Sequence, residues 1–129
     1  MKAICVFPEN PAKGKDAHQG AVVLFSRETG EMLALMNASE ITAIRTAAIS
    51  AVATRLLAGE DAHQLAIIGA GVQARTHLTA LSTVRSIKRA RIACRNIEHA
   101  EELAREMQPQ FSFEIEPVRT NRKRCGGQI

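Results

Sequence analysis

Leu65-Ala66-Ile67-Ile68-Gly69-Ala70-Gly71-Val72-Gln73-Ala74 is the stretch that decides the fold of this chain. An apolar run ends at Gly69, and a helical pattern begins directly after Gly71. A strand that reverses straight into a helix needs glycine at the turn. It needs glycine again where backbone must approach a pyrophosphate with no Cβ in the way. The helix start then offers unpaired N–H groups and a partial positive charge to the phosphates. Ala74 stands at the third position of the G-x-G-x-x-G fingerprint, which tolerates Ala there. A second strand follows about twenty residues on, as a dinucleotide-binding βαβ unit requires. The plain alternative is a glycine-rich turn that only allows close packing.

Outward from this stretch the chain reads as α/β. Lys2 to Phe7 is a short strand stopped by Pro8 and Pro11. Gly20 to Ser26 and Glu31 to Met36 form a hairpin around the turn Arg27-Glu28-Thr29-Gly30. Asn37 or Ser39 caps the next helix, with Glu40 in its first turn. Ile41, Ile44, Ala48, Val52 and Leu56 fall at helical spacing, so they are expected to form its buried stripe. Gly59 stops that helix. Beyond the first βα turn come a helix from Val72 to about Val84, a strand from Ala90 to Cys94, and a helix from Ile97 to Met107 capped by Asn96. Phe111 to Val118 alternates apolar with polar or acidic residues and reads as a third strand. A doubly wound dinucleotide fold has six strands in two halves, and these elements supply the first half.

Composition narrows the function classes. With 46% apolar residues the 129-residue chain can bury a core, and without Tyr or Trp that core is aliphatic and alanine-rich. No apolar run is long enough to cross a bilayer, and no signal-peptide pattern is present, so no membrane partner is expected. Cys5, Cys94 and Cys125 are scattered, which fits reduced cytoplasmic thiols rather than a disulfide frame. No His, Cys or acid cluster has metal-ligand spacing. The net charge of +4 comes from Arg119, Arg122, Lys123 and Arg124; the rest balances at 17 − 4 = 13 basic against 13 acidic residues. A charge confined to one short tail, with no basic folded face, argues against a nucleic-acid partner.

Four segments occur in order at workable distances: K-A-I-C-V-F-P-E-N from Lys2, H-Q-G-A-V-V-L-F from His18, I-T-A-I-R-T-A-A from Ile41, and L-A-I-I-G-A-G-V-Q-A from Leu65. Together they resemble the ornithine cyclodeaminase/mu-crystallin family, from Lys2 to about Val118. The resemblance implies the first half of a Rossmann-type NAD(P)-binding fold, preceded by part of an α+β substrate and dimerisation domain. Its expected boundaries are 1–40 for the partial substrate domain, 41–62 for a connecting helix, 63–118 for the Rossmann half, and 119–129 for a basic tail unlike the family. Both ends look cut, by a shifted frame, an early stop or a boundary of the expressed piece.

The resemblance also implies roles. Lys2 and Arg45 would grip an amino-acid carboxylate, a task suited to an ammonium and a planar guanidinium. Thr46 would lie near the cofactor, which is NAD or NADP. Gly69, Gly71, Val72 and Gln73 would line the pyrophosphate, with Arg95 and Asn96 at the adenine ribose. No residue here matches the family's catalytic aspartate, so no catalytic residue is assigned. The implied activity is amino-acid cyclodeamination through hydride transfer, or the ketimine-reductase or amino-acid dehydrogenase reactions of the same family. The substrate class is a small amino acid or cyclic imine, and the family forms homodimers. The chain as given is expected to be inactive. A non-catalytic remnant, binding a nucleotide or serving as an interaction module, is the reading from a different class.

Each residue also has a plainer reading. Lys2 is a solvated terminal lysine, Arg45 lies on a solvated helix face, and Asn96 is a helix cap. Arg95 is a surface arginine at a strand end, or a clamp on a ribose 2′-phosphate where an acid would select NAD. His18 faces the active site, whereas His63, His77 and His99 read as exposed polar positions.

Overall fold

The structure is a computed structural model that describes residues 1–119. The remainder of the expected basic tail lies outside the described residues. The chain forms two units, Met1–Thr46 and the residues from Ala47 onward, so the border falls within a helix.

In the first unit, β1 (Lys2–Val6), β2 (His18–Phe25) and β3 (Met32–Asn37) form an antiparallel sheet in that order. The hairpin turn is held by Ser26, whose Oγ accepts from the N–H groups of Glu28 at 3.2 Å and Thr29 at 3.1 Å. Gly30 closes it at φ +74°, a left-handed conformation that glycine adopts without cost. Gly20 serves a different need: a Cβ there would run into the carbonyl oxygen of Ala3 on β1.

Helix α1 spans Ala38–Leu57. Asn37 is its cap, with Oδ1 accepting from Ser39 N at 2.8 Å and Glu40 N at 3.4 Å. Ser39 instead donates its hydroxyl to the carbonyl of His18 at 2.6 Å. The apolar stripe expected from spacing is not the buried face. Ile44, Val52 and Leu56 are 61%, 49% and 71% exposed, while Ala43, Ala47 and Ala51 are buried. The alanine row is enclosed and the large aliphatics are left outside. Apolar residues occupy more than one face of α1, beside a polar row of Thr42, Thr46, Ser50 and Thr54, and the spacing pointed to the more exposed of those apolar faces.

The second unit is a parallel sheet, β4 (Gln64–Ile68), β5 (Arg89–Cys94) and β6 (Glu114–Arg119), in the order β4-β5-β6. Helices α2 (Val72–Ser82) and α3 (Ile97–Met107) make the crossovers. This is the 3-2-1 order of the first half of a doubly wound sheet. Its core is Leu78, Ile92 and Leu103, all fully buried, with Ala74, Ala90, Ala100 and Ile115 around them. The aliphatic, alanine-rich core follows from the composition.

Two boundaries differ from the sequence expectation. Helix α2 ends at Ser82 because the N–H groups of Thr83, Val84 and Arg85 turn back to Ala80 and Leu81. Strand β6 starts at Glu114 rather than Phe111. The Gln108 side chain occupies that backbone instead, donating to Phe113 O and accepting from Ile115 N, both at 2.9 Å. Phe111 stacks on Phe113 at 4.9 Å between ring centroids. The alternation in β6 is nevertheless used: Ile115 is buried, and Glu114 and Glu116 pair across the sheet with Arg89 at 3.5 Å and Arg91 at 3.0 Å.

Charged contacts join the helices. Arg85 donates to the carbonyls of Thr54 at 3.0 Å, Ala58 at 2.8 Å and Gly59 at 3.2 Å, and so caps the C-terminal end of α1 with a cation. His63 and His77 are half-buried rather than exposed. His63 Nδ1 bonds the carbonyl of Ser86, and His77 joins Gln73 O at 2.7 Å to Ser50 Oγ at 2.9 Å. Since Gln73 O only accepts, His77 Nδ1 carries the proton; in the neutral ring Ser50 then donates to Nε2. Arg75 forks onto Glu106, with Nε at 3.0 and 3.1 Å from its two oxygens.

Replacing Arg85 with Met should cost about 1–3 kcal/mol in urea unfolding, because charge-assisted bonds to terminal carbonyls are lost together. An unchanged midpoint would show the cap to be idle. The Arg75 guanidinium hydrogen bond holds the Glu106 carboxyl below its ordinary value. Its contribution is therefore present above the ordinary carboxylate range and is lost as pH falls through the lowered folded value. Glu106→Gln should lower stability at neutral pH and lose that effect in acid, a trend read from thermal midpoints across a pH series.

Candidate functional site

The turn between β4 and α2 builds the site. Gly69 N–H donates to Ala93 O at 2.7 Å, continuing the parallel ladder past Ile68. Gly69 then adopts φ +114°, where side-chain-bearing residues are strained, and the chain swings into α2. Gly71 is the residue before the helix, at φ −91°. It has no side chain to cap the first turn, and a Cβ built on it would meet nothing within 4 Å. Ala74 N–H already bonds Gly71 O at 3.0 Å, while those of Val72 and Gln73 lack a side-chain cap. Open space above an uncapped helix start suits an anion.

An open cleft of about 780 Å³ lies there, outside the carboxyl ends of β4 and β5. Its walls are Ile68 to Gly71 on one side and Cys94, Arg95, Asn96 and His99 on the other. A second groove of about 310 Å³ shares Ile68, Gly69 and Gly71 but runs along β4 toward Gln73 and His77. The expected cofactor residues therefore divide. Gly69 and Gly71 border both hollows, Arg95 and Asn96 the larger, and Gln73 the smaller. Val72 is 55% exposed and lines neither. Asn96 caps α3, accepting from Glu98 N at 3.1 Å, while it borders the cleft. Cys94 Sγ donates to Asn96 O at 2.6 Å.

The first unit holds the expected carboxylate residues. Lys2 Nζ donates to Thr42 Oγ1 at 2.8 Å, which takes this lysine out of the class of merely solvated termini. Thr42 donates in turn to Ala38 O at 2.6 Å. Arg45 is exposed and three residues along the same helix from Thr42, so the two occupy neighbouring surface positions. Thr46 Oγ1 donates to Thr42 O at 2.7 Å and also belongs to this unit. His18 is exposed on β2.

Sequence reasoning passed over Thr42, Arg75 and His99. His99 had a legible signal, since it lies three residues after the cap Asn96 and so on the first turn of α3. Thr42 and Arg75 had none, because their partners are 40 and 31 residues away in the chain. Among the described residues there is no group of three or more potential metal ligands, and no helix is long and apolar enough to cross a membrane.

Residues 1–127 match the model of the ornithine cyclodeaminase/mu-crystallin family, a span that reaches beyond Val118, where the recognisable motifs stop. The chain is 41% identical over 111 residues to a Delta(1)-pyrroline-2-carboxylate reductase of Bacillus cereus, covering 86% of this chain and 34% of that protein. It is 44% identical over 92 residues to the ketimine reductase mu-crystallin of Mus musculus, covering 71% and 29%. Among solved structures, the Delta(1)-pyrroline-2-carboxylate reductase of Thermococcus litoralis, in complex with NADH and L-proline, superposes with a TM-score of 0.85 at 42% identity, covering 93% of this chain and 37% of that one. The chain thus spans about a third of the length of the relatives it matches. The motifs, the 3-2-1 parallel sheet and the matched span agree: this chain belongs to the ornithine cyclodeaminase/mu-crystallin family.

Proposed function

We propose that this chain supplies the adenosine side of an NAD(P) site, together with carboxylate-binding residues, for redox chemistry at the α-carbon of a small amino acid or cyclic imine. The observation that carries this reading is the cleft at the ends of β4 and β5, open at Gly71 above an uncapped α2. Gly69 and Gly71 leave room for the pyrophosphate, and the N–H groups of Val72 and Gln73 face it as donors. Arg95 and Asn96 border the ribose, and Thr46 is assigned to the cofactor by family resemblance. Lys2, oriented by Thr42, and Arg45 hold the substrate carboxylate. A nicotinamide cofactor, when bound, supplies hydride exchange with the carbon that alternates between amine and imine.

The reductase relatives and the L-proline bound to the Thermococcus enzyme favour imine reduction. Cyclodeamination of ornithine or a related diamino acid is the second reading, supported by a lysine cyclodeaminase of Streptomyces rapamycinicus at 43% identity over 105 residues. A homodimer belongs to the same proposal, since Leu33 and Leu35 are 61% and 65% exposed on β3. So does a reducing, cytoplasmic setting, given the exposed Cys5 thiol.

The two glycines separate binding from folding. Gly71→Val should reduce NADH affinity by more than about tenfold, or 1.4 kcal/mol, at a stability cost of about 1 kcal/mol or less from the poorer cap. Titration that finds affinity within twofold of the original chain would remove the phosphate reading. Gly69→Ala should instead destabilise by about 1–3 kcal/mol, because alanine is strained at that φ. The 129-residue chain alone should give no turnover of L-proline or cyclic imines with either cofactor, since no positioned proton-transfer group is assigned in it. Absorbance change from the purified chain would identify such a group.

A further inference from the structure

An anion held by bare backbone needs N–H groups turned toward it and carbonyl oxygens turned away. The carbonyls from Ala70 to Gln73 are all engaged elsewhere. Gly71 O accepts from Ala74 N–H at 3.0 Å. Val72 O accepts from Thr76 Oγ1 at 3.3 Å, and Gln73 O from His77 Nδ1 at 2.7 Å. Ala70 O lies outside both strand and helix, and Arg75 Nη1 donates to it at 3.5 Å.

That last contact is long, and Glu106 is what keeps it in place. The Glu106 carboxylate accepts from Arg75 Nε at 3.0 and 3.1 Å and also from Nη2. A fork of this kind fixes the plane of the guanidinium and leaves Nη1 for Ala70 O. A peptide group is planar and trans, so its C=O and N–H point in opposite directions. Holding Ala70 O toward Arg75 therefore turns the Gly71 N–H to the other side. This N–H makes no hydrogen bond among the described residues. Gly71 borders both hollows, whereas Arg75 and Glu106 border neither, so the ion pair acts from behind the turn.

We propose that Arg75, held by Glu106, is a positioning residue of the phosphate-binding turn: it fixes the Ala70–Gly71 peptide so that the Gly71 N–H is presented to the anion. The proposal rests on the reading of this turn as the pyrophosphate site. A donor oriented in advance spares the ligand the cost of ordering it. The pair is neutral as a whole, so it works through orientation rather than net charge. Simple Coulomb attraction makes the opposite forecast for Glu106, since removing that acid leaves an uncompensated cation near the phosphates.

NMR titration of the 15N-labelled 129-residue chain with ADP and with adenosine tests the proposal, because only ADP carries the phosphates. Arg75→Met should weaken ADP binding at least about fivefold and leave adenosine within about twofold. The shift that ADP induces at the Gly71 amide should shrink in the same variant. Glu106→Ala, a change at an exposed position, should weaken ADP at least about threefold despite removing a negative charge. ADP affinity within about twofold of the original in Arg75→Met, or tighter ADP binding in Glu106→Ala, overturns the positioning role and leaves the phosphate reading standing. Equal weakening of ADP and adenosine does the same, since it marks a general loosening of the unit. Failure of the original chain to bind ADP, with a dispersed amide spectrum, overturns both.

Discussion

The conformation of Gly69 is the constraint on which the second unit depends. Its N–H must reach Ala93 to finish the parallel ladder, and its φ of +114° must then send the chain into α2. Only a residue without a Cβ meets both demands at low cost. Because the reversal happens within Gly69-Ala70-Gly71, the start of α2 lies at the carboxyl end of β4, beside the end of β5. Fold and binding cleft are thus produced by the same three residues.

Packing makes that geometry durable. Leu78 of α2, Ile92 of β5 and Leu103 of α3 are fully buried and meet in one cluster, so the two helices lie on one side of the sheet. The polar contacts are peripheral to this core and act on particular ends. Arg75 ties α2 to α3 through Glu106, Arg85 closes the end of α1, and His77 joins the carbonyl of Gln73 to Ser50. The last of these holds the first turn of α2, whose N–H groups border the cleft. None is a buried charge, so each adjusts orientation more than total stability.

Several apolar surfaces are left uncovered among the described residues. Ile44, Ile49, Val52, Leu56 and Leu57 are exposed along α1, Leu33 and Leu35 along β3, and Ile68 at the end of β4 is 89% exposed. The outer face of the parallel sheet combines Ala66 and Ile68 with the ion-paired rows Arg89–Glu114 and Arg91–Glu116. Parallel sheets are ordinarily covered on both faces. These surfaces are therefore where further protein would pack.

The sequence by itself determined whatever depends on neighbours along the chain. The glycine turn, the helix caps at Asn37 and Asn96, the span Ile97–Met107 and the alternation in β6 were all legible, because each is a local rule of backbone geometry or period. The family was legible for the same reason: its motifs are short contiguous segments. Tertiary structure decided what depends on distant partners. It chose the alanine row of α1 over the aliphatic row, since a count of apolar residues does not say which face neighbours will cover. It paired Lys2 with Thr42, Arg75 with Glu106 and Arg85 with the end of α1, contacts that no spacing rule encodes. It put Arg95 and His99 on the lining of one cleft and Gln73 on that of the other groove. Which residues share a hollow follows from how strands and helices pack, and that is settled only when the core closes.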